Sequence, residues 1–253
     1  MGASFGMALK LVLNAFEYAW APFYYSTMKT PDAKATFRLI TTYGVAVLTL
    51  LVAGLAATGP AIVRWVLPAE FHAAAQVVPW VGLGVGFQGL YLLTSIGLNI
   101  TKATHYYPVA TGAAAAASIG ANVLLVPRFG SLGAAWANAL AYFVMFATAF
   151  VLSQRVYPIP LEWGRLARIV LAGGAAFAAS ILVPVLPPLP SALARGTVVT
   201  LTFPAILAVL GFLDARELRT LGRLADRVRT LRAGPAPAAA ATDVTLADDQ
   251  QIP

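Results

Sequence analysis

Charged residues cut this chain into long apolar runs. Arg38 and Arg64 are separated by 25 uncharged residues, and His72 and Lys102 by 29. Further charge-free runs lie between His105 and Arg128 (22), Arg128 and Arg155 (26), Arg168 and Arg195 (26), and Arg195 and Asp214 (18). A helix that crosses the hydrocarbon core of a bilayer needs about 20 apolar residues. The runs therefore predict six membrane-spanning helices, and an apolar, aromatic stretch at 5–26 predicts a seventh. The expected spans are 5–26, 39–59, 76–99, 106–126, 132–153, 166–186 and 196–213. Gly and Pro punctuate them at Pro22, Gly59-Pro60, Pro79, Pro108, Pro127 and Pro204, with Pro79 and Pro204 as expected kinks, since membrane helices tolerate internal proline.

Composition agrees with this pattern. Of 253 residues, 59% are hydrophobic and 11% are charged, with a mean hydropathy of +0.77. Soluble domains carry about 25% charged residues. The fold class expected is therefore all-α, a polytopic membrane helix bundle of about seven transmembrane helices. It occupies 1–213, followed by an amphipathic basic helix at 214–232 and a disordered tail at 233–253. In the former, Leu218, Leu221, Leu224, Val228 and Leu231 share one face, suited to an anionic membrane surface.

The net charge of +7 raises nucleic acid as a partner, but the distribution of the charges argues against it. Thirteen of the 17 Lys and Arg residues fall in alternate loops and the tail, three in the intervening loops, and the last, Lys10, within the first stretch. By the positive-inside rule the richer side is cytoplasmic, which puts the C-terminus inside and, with seven spans, the N-terminus outside. A bare helix starting outside suggests the C-terminal part of a longer transporter. A short protein that assembles with a partner chain is the other reading.

Several chemistries find no support. The chain has no cysteine, which removes disulfides, iron–sulfur clusters and thiol zinc sites. His72 and His105 fall on opposite predicted sides, so they form no shared metal site, and no metal or other cofactor is expected. The GLGVG at 82–86 lies inside a span, not between a strand and a helix, and is no dinucleotide loop. No Walker motif, Ser-His-Asp set or acidic pair is present, so an enzyme is not expected.

Polar groups inside the spans carry the candidate chemistry. Lys10, Asn14 and Glu17 stand at i, i+4 and i+7, one face of a helix over about 10 Å. Ionisable groups at this depth commonly mark a substrate path. The alternative is a pairing that fixes helix packing. Gln88, Asn99, Asn122 and Asn138 are lone amides, of a kind used for interhelical hydrogen bonds as well as for ligands. Tyr18, Trp20, Tyr24 and Tyr25 predict an interfacial aromatic belt, with stacking on sugar rings as a second use. GAAAAASIGAN and GSLGAAWANALAY predict close helix packing.

The segment YYPVATGAAAAASIGANVLLVPRFGSLGAAWANALAYFVMFATAFVLSQRVYPIPLEWGRL resembles the C-terminal region of bacterial polysaccharide flippases. These are the O-antigen and exopolysaccharide translocases of the multidrug/oligosaccharidyl-lipid/polysaccharide exporter superfamily. VPWVGLGVGFQGLYLLTSIGLNITKAT and AWAPFYYS are similar to the same family, so the likeness covers about residues 5–170. It implies a fold like the C-terminal lobe of a 12–14-helix flippase, with the N-terminal half or a partner chain still needed to close the cavity. It also implies the bacterial inner membrane and the translocation of an undecaprenyl-pyrophosphate-linked glycan for surface polysaccharide synthesis. Partners would be that lipid-linked oligosaccharide and membrane lipids.

With the resemblance, Lys10 becomes the expected head-group contact, Asn14 a bridge, and Glu17 a tuning group or coupling-ion site. Gln88 and Asn99 complete the expected substrate-binding set. A peptidoglycan-precursor or multidrug exporter of the same superfamily, or a membrane polysaccharide polymerase or ligase, is the alternative. Polymerases and ligases typically present a large outer loop, whereas the outer loops expected here are short.

Overall fold

The charge-free runs fold as helix. A computed structural model of the chain describes Leu11, Trp20, residues 22–184 and residues 186–212. Lys10, Asn14, Glu17, the expected amphipathic helix at 214–232 and the tail at 233–253 lie outside the described residues. By its internal contacts the chain divides into Met1–Phe212 and Leu213–Pro253.

After a helical stretch at 22–27, the main helices are α1 (Ala33–Val66), α2 (Val78–Thr94), α3 (Ile96–Ile100), α4 (Tyr107–Val156), α5 (Trp163–Ile181) and α6 (Pro188–Val209). Short 3-10 turns at Ala69–Gln76 and Thr104–Tyr106 connect them. No strand occurs among the described residues. Five segments are long and apolar enough to cross a membrane: α1, α2 with α3, α4 with its preceding turn, α5 and α6. The architecture is the all-α polytopic bundle that the hydropathy pattern predicts.

α4 is two spans, not one. A straight helix of 50 residues would reach about 75 Å, more than twice the hydrocarbon thickness. Its backbone breaks at Gly130, where φ is 55° and ψ is −129°. Side chains with a Cβ rarely occupy that region. Beyond the break the chain folds back, so that Gly133 lies against the backbone carbonyl of Leu125. Residues eight apart in a continuous helix would be about 12 Å apart along the axis. Arms 107–129 and 131–156 thus form a helical hairpin around Arg128, matching the two charge-free runs on either side of it.

Two proline readings are corrected. Pro79 sits in the first turn of α2, where its missing N–H costs nothing, and is no kink. Pro60, read as the end of a span, lies inside α1, which continues to Val66. Pro204 is inside α6, as expected.

α1 is the central helix and packs on α2, α5 and α6. Small residues let the backbones approach: Thr49 and Thr58 of α1 seat on Gly173 of α5 and Gly196 of α6, and Val52 and Leu55 on Gly86 and Gly82 of α2. Without a hydrophobic driving force in lipid, such close packing is a main source of helix association. Buried hydroxyls bond to the preceding turn, as Thr42 does to the Arg38 carbonyl and Ser180 to that of Phe177. No hydroxyl of this kind then needs a partner from lipid.

The small-residue expectation holds for one arm of the hairpin only. In GSLGAAWANALAY, Gly133, Ala135, Ala137 and Ala139 are buried, and Gly84 of α2 approaches Asn138 and Ala139. In GAAAAASIGAN, by contrast, Gly112 and Gly120 have nothing within 4 Å, and Ile119 is 67% exposed. Small residues permit close approach but do not compel it.

The helices alternate in direction and collect charge at one end. Lys29, Lys34, Arg38, Lys102, Arg155, Arg165 and Arg168 lie at the end where α1 begins, and Arg64, Arg128 and Arg195 at the other. At the basic end Glu162 pairs with Arg165 (3.0 Å) and Arg38 (3.5 Å). Arg165 and Arg168 also donate to the carbonyls of Phe212 (2.8 Å) and Gly211 (3.0 Å), beyond the end of α6. The cations there meet carbonyls that a helix leaves unsatisfied at its C-terminus.

Candidate functional site: an aromatic and amide pocket at the basic end

The pocket begins with a break in a helix. α2 ends at Thr94, Ser95 lies between helices, and α3 runs only to Ile100. Gly97 faces α4 so tightly that a methyl group on it would lie 2.5 Å from Ser153 Oγ. This contact fixes α3 against the far arm of the hairpin. Lys102 then adopts a positive φ of 55°, and Ala103 N–H donates back to the Leu98 carbonyl (2.9 Å). A left-handed residue after a helix end reverses the chain sharply. The reversal brings Tyr107, the first residue of α4, back over Asn99.

There the Tyr107 hydroxyl donates to Asn99 Oδ1 (2.8 Å). Tyr91 meets Tyr107 edge to face, with centroids 6.3 Å apart. Trp20 and Tyr24 from the opening segment close the other side, themselves edge to face at 6.3 Å. These residues, with Leu92 and Ser95, line a cavity of about 370 Å³. That volume falls at the small end of the range for small-molecule sites, about 300–1,000 Å³. Among the described residues none that lines it is charged. The pocket offers aromatic faces, hydroxyls and one carboxamide, a set suited to an uncharged ring with polar edges.

The expected site residues fare differently. Asn99 lines the pocket. Gln88, on the same face of α2 three turns earlier, is outside it; its buried Oε1 has no hydrogen-bond partner among the described residues. Asn122 bonds to the Ser118 carbonyl one turn back in its own helix (2.8 Å) and lies outside the pocket. Trp20 and Tyr24 are not part of an outward belt: at 6% and 7% exposure they pack with Ala33, Phe37, Ile96 and Ile159. Tyr25, by contrast, is 48% exposed, as a belt residue would be. Among the described residues no group of three His, Cys, Asp or Glu could hold a metal ion.

Tyr91, Ser95 and Tyr107 were not singled out from the sequence. A signal existed: Tyr91, Ser95 and Asn99 follow at i, i+4 and i+8, a polar strip on one side of an apolar span. Two other cavities are apolar. One of about 680 Å³ lies among α1, α2 and α5, and one of about 580 Å³ lies between α1 and α6 at the opposite end. Comparison of the chain with known protein families, with curated proteins and with solved structures returns no match.

Proposed function

We propose that this protein is part of a lipid-linked oligosaccharide flippase, and that the pocket at its basic end receives the glycan. The reading rests on the resemblance of residues 5–170 to polysaccharide flippases. Within the structure one observation carries it: a pocket of aromatic rings and an amide, with no charge among its described lining residues, at the end of an apolar helix bundle. Sugars are recognised by such sets, with rings against their apolar faces and amides against their hydroxyls. The basic end is the cytoplasmic one by the positive-inside rule, the side on which a glycan to be exported is met. The lysines and arginines of that end would hold a pyrophosphate at the membrane surface, and the pocket would take the sugar beyond it. Translocation would then proceed by alternating access, with the lobe or partner that completes the cavity.

Binding is the test. The protein is placed in lipid nanodiscs and examined by native mass spectrometry with a polyprenyl-pyrophosphate-linked glycan, the same polyprenyl pyrophosphate without sugar, and phosphatidylglycerol. The reading predicts retention in the order glycan carrier, bare pyrophosphate, phosphatidylglycerol. Equal retention of all three would contradict it.

A further inference from the structure

We infer that the pocket selects an uncharged sugar bearing an N-acyl group, with Asn99 as the residue that reads the acyl carbonyl. This deepens the proposed function and rests on it. Tyr107 sets the orientation of the Asn99 amide. Tyr107 donates its hydroxyl proton to Asn99 Oδ1 at 2.8 Å, and the positions of both are fixed, one by the α3–α4 reversal and the other by the start of α4. One of the two lone pairs of the amide oxygen is therefore engaged, and the bond holds the amide with its NH2 turned away from Tyr107. Its NH2 group, which can only donate, makes no hydrogen bond to the described residues and is left for a ligand.

A donor pair in a pocket reads an acceptor on the ligand. A carbonyl oxygen meets that need better than a hydroxyl, which brings its own hydrogen in need of a partner. The methyl end of an acetamido group has apolar neighbours in Leu92 and Trp20. Charge excludes the alternatives. An amino sugar with a free ammonium would enter a pocket with no carboxylate among its described lining residues, at the end of the bundle that gathers Lys34, Arg38, Lys102, Arg165 and Arg168. A uronic acid would lose water to a lining that offers no cation among the described residues. An N-acyl sugar is the form of amino sugar that carries no charge and supplies the carbonyl.

The experiment uses the whole chain in nanodiscs and three synthetic carriers with the same short polyprenyl pyrophosphate: N-acetylglucosamine, glucose and glucosamine. The wild-type protein is expected to bind the N-acetyl carrier about 3- to 10-fold more tightly than the glucose carrier, the worth of one net hydrogen bond, and the glucosamine carrier most weakly. Tyr107→Phe frees the amide to turn and should shrink the preference for N-acetyl over glucose. Asn99→Leu should abolish it. The wild-type comparison stands without either variant, should one fail to fold. Equal binding of the three carriers would overturn this inference and leave the flippase reading intact. No binding of any carrier above phosphatidylglycerol would overturn both. A preference that survives both variants would overturn the role of Asn99.

Discussion

Gly133→Ala is expected to lower the stability of the folded bundle by about 2–3 kcal/mol, the upper part of the range for overpacking a fitted contact. The added Cβ would press on the carbonyl and carbonyl carbon of Leu125 in the facing arm of the hairpin. A side chain could turn away from such a clash, but backbone has no rotamer to change. The arms must separate, and with them the buried row Gly133, Ala135, Ala137 and Ala139 loses its seat. Gly112→Ala and Gly120→Ala are the controls. Both glycines lie on the outer arm with nothing within 4 Å. There alanine removes a poor helix former and adds no contact, so no loss is expected. Unfolding in mixed micelles, followed by circular dichroism, gives the comparison.

The second large effect is at the basic end. Arg165→Met should cost about 2–3 kcal/mol. Arg165 is 13% exposed, pairs with Glu162, donates to the Phe212 carbonyl, and lies 4.5 Å from the centre of the Phe212 ring. Removing one partner of a buried charge pair can cost about 3–5 kcal/mol. Glu162 is 27% exposed and keeps Arg38 at 3.5 Å, so part of that loss is returned by water and by the second arginine. Methionine keeps much of the apolar stem but none of the donors. Arg168→Met is the contrast: Arg168 is exposed, and its hydrogen bond to Gly211 is worth less than about 1 kcal/mol. The same micelle titration should place the Arg165 variant well below the Arg168 variant.

The helices were legible in the sequence because charge is expensive in hydrocarbon. The runs around Arg128 foretold two spans even though helical bonding runs almost unbroken through the hairpin, for a lone arginine between runs of 22 and 26 uncharged residues marks a place where the chain meets water. Helix ends were less legible. α1 passes through Gly59-Pro60 to Val66; a membrane helix tolerates an internal proline, so the pair does not mark its end. The centre of the bundle was not legible at all. Which glycine receives which side chain depends on tertiary approach, and GAAAAASIGAN is richer in small residues than the arm that packs.

The pocket was half legible. Asn99 stood out as an amide in a span, but its partner Tyr107 is eight residues on, across a reversal set by a left-handed lysine that sequence patterns do not forecast. Trp20 and Tyr24 have the composition of an interfacial belt, and only packing against Phe37 and Ile96 turns them inward. Lys10, Asn14 and Glu17, the strongest polar signal in the sequence, lie outside the described residues.

The absence of cysteine from the chain makes the central claim directly measurable, since a single introduced thiol is a unique reporter. Leu92→Cys places it in the aromatic pocket, and Thr197→Cys in the apolar cavity at the opposite end. Each variant, in nanodiscs, is treated with a small maleimide with and without a polyprenyl-pyrophosphate-linked glycan. If the pocket receives the glycan, the glycan carrier slows modification at position 92 several-fold, bare polyprenyl pyrophosphate slows it less, and position 197 is unaffected. Unchanged modification at 92, or protection at 197 alone, would contradict it.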